Sequence, residues 1–138
     1  MKEAERLFTA IQKLADKITD LKKSVTQVSN YQDISVASLH YLDAIDKLNT
    51  PTLVELSEEL QLSKPSVTIM VNKMIASGHV IKEKHPEDSR SVILTLSDKG
   101  HEVVSRCRDA FKHLAVDATT RLTPEEMNIL IVLLNKIS

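Results

Sequence analysis

Residues 52–96, TLVELSEELQLSKPSVTIMVNKMIASGHVIKEKHPEDSRSVILTL, decide the fold. Thr52, followed three residues later by Glu55, reads as a capping box opening a short helix whose inner residues are Leu53, Leu56 and Leu60. After a three-residue turn Ser63 is the N-cap of a second helix. Pro65 is tolerated in its first turn because the amide that proline lacks would be unpaired there. Val67, Met70, Val71, Met74 and Ile75 mark a buried face, and Gly78 stops the helix where a left-handed residue is wanted. The period then changes. Residues 79–84 and 91–96 are rich in β-branched side chains, with Val92, Leu94 and Leu96 alternating, and they flank the turn-forming run His85-Pro86-Glu87-Asp88-Ser89-Arg90. Two short helices across a tight turn, followed at once by a β-hairpin, predict a winged helix-turn-helix.

Working outward, Leu7, Ile11, Leu14, Ile18, Leu21, Val25 and Val28 recur at alternating steps of four and three, which predicts a helix over about residues 3–28. Ser35 can cap a second helix striped by Leu39, Leu42, Ile45 and Leu48, which Asn49-Thr50-Pro51 breaks. Beyond the hairpin, Ser97 and Asp98 open a long helix carrying Val104, Cys107, Phe111 and Leu114. Thr123-Pro124-Glu125-Glu126 supplies the cap, first-turn proline and dipole-matched acids of a last helix. That helix contains residues 129–134, apolar around a turn and a half, so it must be enclosed on several sides, and a second subunit is the simplest enclosure. The expected fold is mainly α: a winged helix-turn-helix with a two-stranded β-hairpin wing, flanked by N- and C-terminal dimerisation helices.

The composition narrows the function. The chain has 138 residues and 18 Lys+Arg against 19 Asp+Glu, a net charge of −1, which fits one domain. Its two glycines, Gly78 and Gly100, are too far apart for a Walker loop or a dinucleotide fingerprint, and too few for a turn-rich all-β fold. No readable nucleophile, base and orienter come together, so no enzyme and no cofactor are expected. The charged N-terminus lacks a signal-peptide core, and the longest apolar run is far short of the ~20 residues that span a bilayer. A cytoplasmic protein without membrane contact is expected. One cysteine makes neither an internal disulfide nor the paired thiolates of a common zinc finger.

The second helix of the motif has the character of a major-groove reader. Its apolar face turns inward and leaves Pro65, Ser66, Ile69, Asn72, Lys73 and Ala76 outside, with Lys64 and Thr68 at the flank. Hydroxyls and amides can read base edges or phosphates, asparagine can pair bidentately with adenine, and the helix N-terminus at Ser63 attracts phosphate. Between residues 61 and 90, Lys64, Lys73, Lys82, Lys84 and Arg90 stand against Glu83, Glu87 and Asp88, a local excess of +2.

The stretch resembles the MarR family of bacterial transcription regulators, a six-helix winged fold. The likeness lies in Glu55-Leu56 and Leu60, Ser63 with Val67-Thr68, Gly78, Asp88-x-Arg90 and Leu96-Ser97-Asp98-Lys99-Gly100, and the helix order extends it over nearly the whole chain. The resemblance implies one domain over residues 1–138, with dimerisation helices at 1–34 and 101–138 and a winged DNA-binding region at 35–100. It implies a homodimer on double-stranded DNA, a ligand-responsive repressor of a pseudo-palindromic, A/T-rich operator. The wing-tip Arg90 would enter the minor groove, oriented by Asp88. The alternative is a winged-helix protein-interaction module that has lost DNA binding. One departure is Ile69, where many relatives carry arginine or another polar residue: it either contacts thymine methyl groups, or is a tolerated surface residue or packs on a neighbouring side chain.

Members of this family often release DNA when a small ligand enters the groove between dimerisation helices and winged region. Tyr31, His40 and Tyr41 lie where such a groove would be lined. The run around His40, from Asp33-Ile34-Ser35-Val36 to Leu42-Asp43-Ala44-Ile45, is similar to the fatty-acid-synthesis repressors within the family. That likeness implies an acyl effector carried on acyl carrier protein, against the reading of His40 as a helix residue with a structural hydrogen bond. His101, Cys107 and His113 are spaced onto separate helix faces. Asp109, His113 and Asp117 do share one, more simply as a solvated charge stripe, and no metal site is expected. Cys107 continues an apolar stripe and reads as a small buried hydrophobe.

Overall fold

Five helices of this chain begin at a hydroxyl. Ser35, Thr52, Ser63, Ser97 and Thr123 each accept a hydrogen bond from the backbone N–H three residues on, and each sits in extended backbone just before its helix. A computed structural model describes residues 2–26 and 34–138. Its elements in chain order are α1 (Lys2–Thr26), α2 (Val36–Leu48), α3 (Leu53–Leu60), α4 (Lys64–Ala76), β1 (Val80–Lys84), β2 (Val92–Leu96), α5 (Asp98–Arg121) and α6 (Pro124–Ile137). The expected mainly α fold with a two-stranded wing and flanking terminal helices is what forms. Val28, Tyr31 and Asp33 lie outside the described residues. The boundary drawn between residues 100 and 101 falls inside α5.

The caps differ in one respect from their reading in the sequence. At Thr123 the box is closed in both directions, hydroxyl to Glu126 N–H and Glu126 carboxylate to the Thr123 amide. At Thr52 it is half a box. The Thr52 hydroxyl accepts from the Glu55 amide but donates to the Glu55 carboxylate (3.1 Å), holding that carboxylate on the hydroxyl instead of on the backbone.

The core is built around α2. Leu42 and Ile45 meet Leu56 of α3, Val67 and Val71 of α4, Leu94 of β2 and Val103 of α5, all almost fully buried. Burying each such side chain contributes about 1.5–3 kcal/mol, so these residues fix how the helix-turn-helix sits on α2 and α5. β1 and β2 pair antiparallel, Val80 opposite Leu96 and Lys84 opposite Val92. Leu94 and Leu96 are buried as the alternation requires, but Ile93 is buried too and Val92 only half so. The reason is a third strand-like segment beside β2: Thr52 bridges Ile93, and the Leu94 N–H donates to the Pro51 carbonyl (2.8 Å). Asn49 and Thr50 make the reversal that brings Pro51 there, both with positive φ (52° and 57°), a cost that a β-branched threonine rarely bears.

Both glycines are placed by backbone geometry. Gly78 has φ +83°. It donates to the Ile75 carbonyl while His79 donates to that of Met74, which closes α4 with the paired reverse bonds of a left-handed helix end. Gly100, in the first turn of α5, lies against the carbonyl of His79, and a Cβ there would stand 2.2 Å from that oxygen.

The terminal helices are a different matter. In α6 no residue is buried, and Ile129, Leu133 and Ile137 are 58%, 53% and 72% exposed. Leu7, Phe8, Ile11 and Leu14 of α1 are exposed as well. The described residues do not supply the enclosure that the sequence demands for residues 129–134.

Candidate nucleic-acid interface

α4 is held to the core through Val67, Val71 and Met74, so its opposite face is presented to solvent as the periodicity requires. Ser63, Lys64, Pro65, Ser66, Ile69, Asn72, Lys73 and Ala76 are all exposed, and Thr68 is half-buried. The hydroxyl hydrogens are partly committed. Thr68 donates to the Lys64 carbonyl (2.8 Å), so outward it offers oxygen lone pairs and a methyl group. Ser63 donates to Ser66 Oγ (2.8 Å) and accepts from the Ser66 amide, which leaves the Ser66 hydroxyl hydrogen for an outside partner. The helix N-terminus offers less than was expected of it. Pro65 has no N–H and Ser63 takes that of Ser66, so the Lys64 amide is what the first three positions leave for an anion. Ile69 is 62% exposed in the middle of this face and is not packed away on a neighbour.

Lys82 and Lys84 are exposed on β1. The wing tip is shaped by two side chains acting on backbone. His85 Nδ1 accepts from the Glu87 N–H (3.1 Å), and the Asp88 carboxylate accepts from the Arg90 N–H (3.0 Å) and from Ser91 Oγ (3.4 Å). Asp88 therefore sets Arg90 through its backbone and not through its guanidinium, which pairs with no carboxylate among the described residues. The part played by His85 is missing from the sequence reading. The run His-Pro-Glu-Asp marks a turn, but nothing in it says which side chain closes the turn.

A second feature lies on the far side of α2. A groove of about 410 Å³ is bounded by α1, α2 and α5, with apolar walls from Leu39, Val104, Cys107 and Phe111 and a rim that includes Lys22, His40, Asp43 and Arg108. His40 lies at its rim. Tyr41 does not line the groove: it is buried in the core, because one step along α2 turns its side chain about 100° away from that of His40. Tyr31 is outside the described residues. Lys22, Asp43 and Arg108 went unrecognised because they come from three helices and share no local pattern. Arg108 ties α5 to α2, its Nη2 lying 2.5 Å from Asp46 and 3.7 Å from Asp43, with His101 Nδ1 3.8 Å from Asp46 on the other side.

Cys107 is partly buried in the groove wall. Desolvation raises its thiol pKa, against the opposing pull of the Lys22 ammonium, so it stays a neutral thiol, in keeping with a small apolar filler. His101 is drawn to Asp46, and Asp117 to Lys17 and Arg121. Among the described residues, no three His, Cys, Asp or Glu side chains converge as a metal site would need.

The same fold occurs in known proteins. A profile described as the MarR family matches residues 32–91. The uncharacterized HTH-type transcriptional regulator YkoM of Bacillus subtilis (strain 168) is 31% identical over 107 residues, 78% of this chain and 66% of that protein. The chain spans just under two thirds of the length of the first regulators it matches. Among solved structures, Streptococcus pneumoniae FabT in complex with DNA superposes with a TM-score of 0.88 at 21% identity, covering 97% of this chain and 94% of that one. A mutant MarR from E. coli complexed with operator DNA superposes at 0.70 with 25% identity, over 98% of this chain and 95% of that one.

Proposed function

The chain belongs to the MarR family of winged helix-turn-helix transcription regulators, and from that premise we propose that it represses transcription as a homodimer on double-stranded DNA. The winged region at 35–100 reads DNA, and the helices within 1–34 and 101–138 join the two copies. Two recognition helices then face successive major grooves about 34–36 Å apart, which calls for a pseudo-palindromic operator. The observation that carries the reading is α4, whose apolar side is locked to the core while Ser66, Ile69, Asn72 and Lys73 stand exposed beside it. Members of this family are regulators without catalytic activity.

The test is selection of bound duplexes from a random DNA pool, followed by titration at several salt concentrations. A shared inverted-repeat site is expected, with affinity falling steeply as salt rises, because Lys64, Lys73, Lys82, Lys84 and Arg90 displace counterions from phosphates. No enrichment, or binding indifferent to salt, would sink the proposal and favour the protein-interaction alternative.

Ile69 offers an apolar contact where a polar one is common, and its exposure supports thymine as the base it reads. Replacing the thymines of the selected half-site with uracil should weaken binding by roughly 4- to 15-fold for one or two contacted bases, at ~0.8 kcal/mol for each methyl group lost. Unchanged affinity in an anisotropy titration would refute the contact.

The groove supports ligand control. Its size falls within that of small-molecule sites, and its walls fit an acyl chain, free or carried on acyl carrier protein, with His40 at the rim.

A further inference from the structure

The C-terminal end of α4 is gripped by the first turn of α5. Lys99 Nζ donates to the Ser77 carbonyl (3.1 Å), placing an ammonium at the negative end of the α4 dipole. Ser97 Oγ donates to the Gly78 carbonyl (2.5 Å) while accepting the Gly100 amide (3.1 Å), so one hydroxyl both caps α5 and ties it to the end of α4. The Ser97 N–H donates to the His79 carbonyl (3.0 Å), and Gly100 lies flat on that same carbonyl, where a Cβ has no room. β1 starts at Val80, the next residue, so the root of the wing is held by the same contacts.

These contacts join two helices through backbone oxygens that cannot shift by changing rotamer. We propose that Lys99 and Gly100 are positioning residues for DNA recognition: they set the tilt of α4 and the take-off of the wing, and through them the fit to base edges. The inference rests on α4 being the recognition helix. Lys99 acts by holding Ser77, so its role differs from that of a lysine on a phosphate. Removal of a phosphate contact weakens binding to all sequences alike and lowers the salt slope by about one. A misplaced helix loses base contacts and keeps phosphate contacts.

The experiment uses the full-length dimer, the site selected by the wild-type protein, and a random duplex of equal length at the same salt. Lys99→Met should lower the ratio of specific to random-duplex affinity by roughly 5- to 10-fold with the salt slope unchanged, the scale of one lost hydrogen bond, and Lys99→Arg should restore most of it. Gly100→Ala should lower the ratio further, and a site reselected with it should differ in half-site sequence or spacing. Should Gly100→Ala fail to fold, Lys99→Met decides alone, with helix content by circular dichroism confirming a native fold. A folded Lys99→Met whose specific and random affinities fall together, or do not fall, overturns the positioning role. A wild-type protein that selects no DNA removes the recognition-helix reading itself, and the inference falls with it.

Discussion

Replacing Ile129 and Leu133 together with aspartate is expected to yield a protein that sediments as a monomer at micromolar concentration and has lost operator binding by at least about 100-fold. The two side chains are one helical turn apart, on one face of a helix none of whose residues is buried by the described residues. On the dimer reading each would be worth about 1.5–3 kcal/mol when covered by the partner, and a carboxylate in its place would be buried unpaired. The DNA effect follows from linkage of the half-sites, since two joined modules bind roughly 10²–10⁴-fold better than either alone. The fold of the winged region should survive, because its core is made by α2, α3, α4, β2 and the start of α5. Analytical ultracentrifugation with anisotropy on the same samples checks both parts. A double variant that remains dimeric would show that α6 is not the interface.

Arg90→Ala should weaken operator binding by about 10- to 100-fold, the scale of a specific contact, whereas Lys84→Ala should cost a few-fold and reduce the salt slope by about one. The guanidinium of Arg90 pairs with no carboxylate among the described residues, and a narrow A·T-rich minor groove is where such a group gains most. Alanine keeps the Arg90 N–H that the Asp88 carboxylate holds, so the wing tip retains its shape and the loss reports on the guanidinium itself. Titrations of the two variants against the selected duplex measure the difference. Equal affinities for wild type and Arg90→Ala would refute the wing contact.

The elements were legible because their signals are local. A hydroxyl before an apolar stripe placed the starts of α2 to α6, apolar spacing assigned the buried face of α4, and the switch to alternation found the wing. Gly100 was legible in part. A glycine where a helix favours alanine by ~1 kcal/mol points to close packing, but the carbonyl that supplies the reason is 21 residues away in the chain. What stayed hidden is what depends on distant partners. The Pro51 carbonyl meets Leu94 only after α3 and α4 have folded back, so the third strand and the burial of Ile93 have no signature in either segment. Tyr41 went to the core because a one-residue step on a helix decides between groove and core, and sequence position alone does not fix the rotation of α2. The exposed face of α4 was readable from its periodicity, and its hydrogen-bond economy was not: neither the commitment of the Ser63 and Thr68 hydroxyl hydrogens nor the hold of Asp88 on backbone follows from composition.

The bond from Leu94 to the Pro51 carbonyl also bears on how binding strength would be assembled. A hairpin joined only at its base would fluctuate, and its tip would have to be immobilised anew each time the protein met its site. Strapped to the turn between α2 and α3, the wing is tied to the helix-turn-helix, so on the proposed reading docking α4 in a major groove would deliver Arg90 to the adjacent minor groove at high effective concentration. The two contacts would then behave as the two arms of a chelate, each strengthened while the other is made.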